Sequence, residues 1–163
     1  MALLKNGTVE TDTYSNVSAT NIIPENGDII VSLTQWQEHH DALINRSGSL
    51  GIVLHSDEKP EAIVDDLKYF DIIALEFPAF KDGRAYSYAR LLRDRYGYPG
   101  ELRAVGDVLL EQLHFMHRVG FNAFNIQSED AVNAWEIASA DISVWYQPTS
   151  DGRTSINQLR HNK

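Results

Sequence analysis

From Asp28 onward the chain alternates short continuous apolar runs with stretches whose apolar residues recur every three or four positions. The runs predict buried strands and the wider spacing predicts helices packed on them. Ile29 to Leu33 is the first run, with Thr34 as expected N-cap of a helix to about Asn45 carrying Trp36, Leu43 and Ile44 on one face. The second strand, Leu50 to His55, leads to a helix opened by Pro60, whose missing N–H is no loss in a first turn. Ile63, Val64 and Leu67 give that helix its apolar side. A third strand covers Phe70 to Phe77, and its helix runs from about Arg84 to Tyr96, stopped by Gly97 and Pro99. The fourth strand, Glu101 to Val105, precedes a helix from Asp107 to about Val119 that Gly120 closes. Phe121 to Ile126 is the fifth strand, followed by a helix from about Glu129 to Ala138, and Ile142 to Tyr146 is a candidate sixth strand.

The ends read differently. Near the start, Asn6-Gly7 stands between apolar residues and signals a type I′ hairpin, after which TDTYSNVSATN is polar and without period. The expected organisation is an N-terminal hairpin and arm over 1–27, an α/β domain over 28–146, and a polar, mobile tail over 147–163. Repeated strand–helix units with short connections predict an α/β fold around a mainly parallel sheet, because parallel neighbours need helical crossovers. Doubly wound and incomplete-barrel arrangements both fit this pattern.

Composition narrows the function classes. The net charge of −9 argues against a nucleic-acid binder, although Arg84, Arg90, Arg93, Arg95 and Arg103 lie close together. The chain has no cysteine, which removes thiol catalysis, dithiol redox chemistry and clusters held by its own thiolates. No apolar run approaches the length of a membrane span, and MALLKNGTVE has no secretory h-region, so a cytoplasmic protein without membrane contact is expected. There is neither a G-x-G-x-x-G nor a P-loop, and no cofactor is assigned.

The candidate chemistry gathers where strands end, since open sheets and barrels bind ligands at the carboxyl ends of their strands. His55, Glu76, Asp82, Gly83, Arg84, Arg103, Gly106 and Asp107 form the expected ligand crevice, with Glu76 and Asp107 as acid–base candidates and the others as ligand contacts. Alternation sets Arg103 opposite Leu102 and Ala104, so its charge needs a carboxylate or an anion, and Glu76 is the expected partner. Arg84, after Asp82-Gly83, suits a phosphate, carboxylate or sulfur oxyanion. An equally simple reading makes all of these ion pairs, turns and caps. Glu111, His114 and His117 share one helix at spacing of three but lack a ligand framework from other elements, so no metal site is expected. Tyr86, Tyr88, Tyr96 and Tyr98 fit either an interaction surface or the edge of the core, and with the arm they suit a homodimer.

Leu75-Glu76-Phe77, Asp82-Gly83-Arg84, Ser87, Ala89-Arg90, Arg93 to Gly97 and Gly100 to Val108, with Gln112 and Gly120-Phe121, are a distinctive set. On these residues the chain resembles a bacterial family of unknown function, domain family 934, whose members are described as oxidoreductases of sulfite reduction. The resemblance implies work beside the haem-containing sulfite reductase, and carries over no catalytic residues. An accessory protein of that reductase is the first expectation. The alternatives are an enzyme acting on a small anionic substrate in the strand-end crevice, and a structural or regulatory module.

Overall fold

Five strands follow one another across the sheet in chain order: β4 (Ile29–Ser32), β5 (Leu50–Leu54), β6 (Ile72–Phe77), β7 (Glu101–Gly106) and β8 (Ala123–Ile126), all parallel. The computed structural model describes residues 2–20, 22–127, 131–140 and 145–161. Right-handed crossovers that always step the same way place the helical segments connecting these strands on the same face. One core bears this out. Ile52, Ile73, Leu102 and Phe124 of the strands join Trp36, Ile63, Leu92, Leu113, Met116 and Ala131 of the helical segments. On the opposite face Ile30, Val53 and Ala74 form a second, smaller apolar cluster, packed by Tyr14 and Val105. Strand order never reverses among these five, so the doubly wound alternative is excluded and the fold is the incomplete barrel.

The N-terminal residues complete the sheet. β1 (Ala2–Lys5) runs antiparallel to β8 and turns through Asn6-Gly7, both at positive φ, into β2 (Thr8–Glu10), as the type I′ signal required. β3 (Ser15–Asn16) then pairs with β4 at the opposite edge. Glu10 and Ser15 are five residues apart, a span of at most about 18 Å. Laid flat, eight strands would separate their edges by about 34 Å. The sheet is therefore curled into a half-barrel, and the 11–14 link crosses its inner face.

Several helix boundaries differ from expectation for local reasons. α1 (Leu33–Ile44) is capped by Ser32, not Thr34, because Ser32 and Gln35 form a reciprocal capping box with Gln35 N–H donating to Ser32 Oγ and Ser32 N–H to Gln35 Oε1. Pro60–Tyr69 is a 3-10 helix. α2 (Arg84–Arg90) passes into one wider π turn, Leu91–Arg95. The helix expected from Asp107 begins only as a 3-10 turn at Leu110–Gln112, followed by α3 (Leu113–Arg118), because Gly106-Asp107 is used to shape a loop. α4 is Ala131–Ala140. The candidate sixth strand falls largely on 141–144, outside the described residues; Trp145 forms an isolated bridge to Ser155. Beyond it the polar segment contains α5 (Ile156–His161) and is tied to α3 by Arg118, whose Nε lies 3.0 Å from Asp151 and whose guanidinium lies over the Trp145 ring.

Candidate functional site

Register assembles the first part of the rim. Leu54 pairs with Leu75, so the next residues on each chain, His55 and Glu76, stand side by side at the carboxyl ends of β5 and β6. His55 Nδ1 is 2.5 Å from Glu76 Oε2, and the His55 N–H donates to Glu58 Oε2 at 2.8 Å. The hydrogen bond to Glu76 raises the His55 pKa above its ordinary value, against the opposing effect of desolvation, and Glu58 and Asp57 add to the rise. The pair is open to water, with His55 48% and Glu76 33% exposed.

The second part is built on the loop after β6. Asp82 grips Arg84 through two bonds, Nε to Oδ1 at 3.0 Å and Nη2 to Oδ2 at 2.6 Å, and this guanidinium holds the Asp82 carboxyl down at about 2. Asp82 also accepts the Arg84 N–H at 3.2 Å. Gly83 has no side chain to cap α2, and Asp82 does this in its place. Arg84 Nη2 reaches Ser56 Oγ at 2.8 Å, and Tyr88 OH donates to Ser56 O. The His55-Ser56 dipeptide therefore joins the His55–Glu76 pair to the Asp82–Arg84 pair.

Gly106 and Asp107 form a third part. Gly106 has φ 91°, and a Cβ there would lie 2.3 Å from Phe77 O, so the position requires glycine. The turn lets Asp107 N–H donate to Phe77 O and Asp107 Oδ2 accept from Phe80 N–H at 2.9 Å. Gln112 Nε2 donates to Phe80 O at 3.1 Å. Asp107 thus holds the loop that carries Phe80 and Arg84, and Phe80 itself is 57% exposed. A cleft of about 640 Å³ opens beside it, lined by Gly106, Asp107, Leu109, Glu111 and Gln127 among others. Another, of about 530 Å³, lies at the amino ends of β4 and β5 between Pro24, Asn26, His39 and Arg46, away from the rim.

Arg103 stands apart from the rim. It lies on the inner face, 2% exposed, with Nε 2.7 Å from Glu101 Oε1 and Nη1 2.8 Å from Asp12 Oδ2. Lys5 Nζ meets the second Glu101 oxygen at 2.9 Å, which raises the Lys5 pKa. The expected Glu76–Arg103 pair is not formed. Glu101 precedes Arg103 by two residues on one strand and so shares its face at close range, while Glu76 is drawn to His55.

Of the weaker candidates, Glu111, His114 and His117 do not converge. Glu111 is on the 3-10 turn, His114 stacks on Trp145, and His117 Nδ1 is 3.2 Å from Phe121 O. Among the described residues no group of three His, Cys, Asp or Glu is placed to hold a metal ion. Tyr98 is buried and Tyr86, Tyr88 and Tyr96 pack against the core, which fits the core-edge reading of the tyrosines. Ser56, Glu58, Asp12 and Glu101 take part as well, although the sequence pattern did not single them out. The first two adjoin His55 in sequence, and strand alternation sets Glu101 on the face of Arg103.

Fold and rim together define an α/β half-barrel protein with its polar groups gathered at the carboxyl ends of parallel strands. Residues 51–157, about two thirds of the chain, match a family described as bacterial protein of unknown function (DUF934), and the chain belongs to that family. No curated protein matches it. Among the described residues no helix is long and apolar enough to cross a membrane.

Proposed function

We propose that this chain is a cytoplasmic accessory protein of assimilatory sulfite reduction, working beside the haem sulfite reductase with the carboxyl rim as its contact surface. The observation that carries the reading is the openness of the rim. His55, Arg84 and Phe80 are each about half exposed although their loops are tightly hydrogen-bonded. A site doing chemistry on its own would enclose its reactants and exclude water. A fixed, exposed aromatic flanked by charged groups suits a protein contact instead. Electron transfer stays with the reductase, in keeping with a chain that has no thiol of its own. The test mixes the purified reductase with this chain. Binding is expected, with a changed rate of sulfite turnover and weaker binding by Phe80→Ala. A reductase that neither binds the chain nor changes rate ends this reading.

A second reading, an enzyme acting on a small anionic substrate, is favoured by the His55–Glu76 pair, which is suited to exchanging a proton. Arg84 would be the anion contact, using the guanidinium donors that Asp82 and Ser56 leave free. Sulfite binding measured by calorimetry should then weaken in Arg84→Ala. Equal affinity in that variant removes the site.

A further inference from the structure

Four charged side chains meet on the inner face of the half-barrel. Lys5 on β1 and Arg103 on β7 are the cations, and Glu101 bridges them with one oxygen on each. The fourth is Asp12, bound to Arg103 Nη1. Lys5, Glu101 and Arg103 stand on strands held by their ladders. Asp12 alone stands on the irregular 11–14 link, with Thr11 and Thr13 exposed on either side, and its other oxygen accepts the Tyr14 N–H at 3.1 Å. The strap has one apolar anchor on this face, Tyr14, which packs on Ile30, Val53 and Ala74 and lies near the Arg103 guanidinium.

The charges balance, two against two. Without Asp12 the remaining three leave one net positive charge on a guanidinium that is almost wholly buried, a state that strongly favours recruitment of an anion. The donor fork of arginine accepts a sulfur or phosphorus oxyanion as readily as a carboxylate.

We propose that Asp12 is an internal stand-in ligand: the strap fills a binding site for a small oxyanion on Arg103, backed by Lys5 and Glu101, and the free anion enters as the Asp12 carboxylate leaves. A singly charged oxyanion replaces the Asp12 carboxylate with no change of charge at the site, and a dianion such as sulfate adds one negative charge. This inference does not rest on the rim reading, because the two sites share no residue.

The probe is inorganic sulfate, titrated by calorimetry at constant ionic strength into the wild type, Asp12→Ala, Asp12→Asn and the double variant Asp12→Ala with Arg84→Ala. Asp12→Ala removes the charge and opens room, and should bind sulfate about tenfold or more tighter than the wild type. Asp12→Asn keeps the volume and the turn onto Tyr14, and should gain less. The gain should persist in the double variant. Sulfate should also raise the melting temperature of Asp12→Ala above that in chloride, and if this variant does not fold in chloride, Asp12→Asn against wild type carries the comparison. Affinity no tighter than wild type in the Asp12 variants overturns the proposal. So does a gain that disappears with Arg84, which would assign the sulfate to the rim.

Discussion

The rim and the inner face use the same chemistry to opposite effect. Each joins arginine or histidine to carboxylates at 2.5 to 3.0 Å. At the rim each pair has one member, His55 or Arg84, about half open to water, and pairs reached by solvent in this way contribute little to stability because solvent already serves the charge well. On the inner face Arg103 and Glu101 are almost completely buried. There the pairing offsets a desolvation cost that nothing else would cover, so removing one member is far more damaging than the pair is favourable. The rim groups are thus free to change partners. The inner groups can do so only by exchange for another ion.

The strongest way to break this contrast is Glu101→Ala. It leaves Arg103 with Asp12 alone and strands Lys5, and should lower the unfolding free energy in urea by about 3 kcal/mol. Arg84→Ala, at the rim, should leave the urea midpoint unmoved. If the two variants behave alike, burial is not what separates the regions.

The next effect concerns two glycines that each neighbour an aspartate. Gly106→Ala puts a Cβ against Phe77 O at positive φ, and should destabilise by about 2 kcal/mol or more as the β7 end and the Asp107 clamp shift. Gly83 has φ −88°, and a Cβ added there would meet nothing within 4 Å, so Gly83→Ala should change stability by less than about 1 kcal/mol. Thermal unfolding of both variants checks the pair. A large loss for Gly83→Ala would mean that the Asp82–Arg84 loop is more tightly constrained than its open geometry indicates.

How far the sequence disclosed these features depends on the range of the forces involved. The strands were legible because both their faces are covered: all five residues of β5 are buried, helices lying on one side and the strap on the other, and this leaves an unbroken apolar run. The Asn6-Gly7 hairpin was legible because its turn demands those residues. Alternation correctly set Arg103 against Leu102 and Ala104, and the same rule places Glu101 beside it. Asp12, however, lies 91 residues away on an aperiodic arm, where no pattern marks it. The His55–Glu76 contact needed the register of β5 on β6, and the curl needed the strand order; neither is encoded locally. The strand-end rule expected His55, Glu76, Asp82, Gly83, Arg84, Gly106 and Asp107 along one rim, where the structure places them, but it expected Arg103 there too, whose place lies on the inner face.

The smallest effect is the most specific to the rim. In the folded chain Glu76, helped by Glu58 and Asp57, lifts the His55 pKa above the 6.5 of a free imidazole, with desolvation pulling the other way. A raised folded-state pKa gives stability that is complete below the unfolded value and lost as pH rises through the folded one. The urea midpoint difference between wild type and Glu76→Gln should therefore be greatest near about pH 6 and shrink toward about pH 9. With His55 half exposed the whole change should stay below about 1 kcal/mol. The Glu101→Ala loss involves no histidine, and should stay flat across this range. A flat profile for Glu76→Gln as well would show that His55 does not gain a proton from this contact, and the rim pair would then be a neutral hydrogen bond without the charge that makes it responsive to pH.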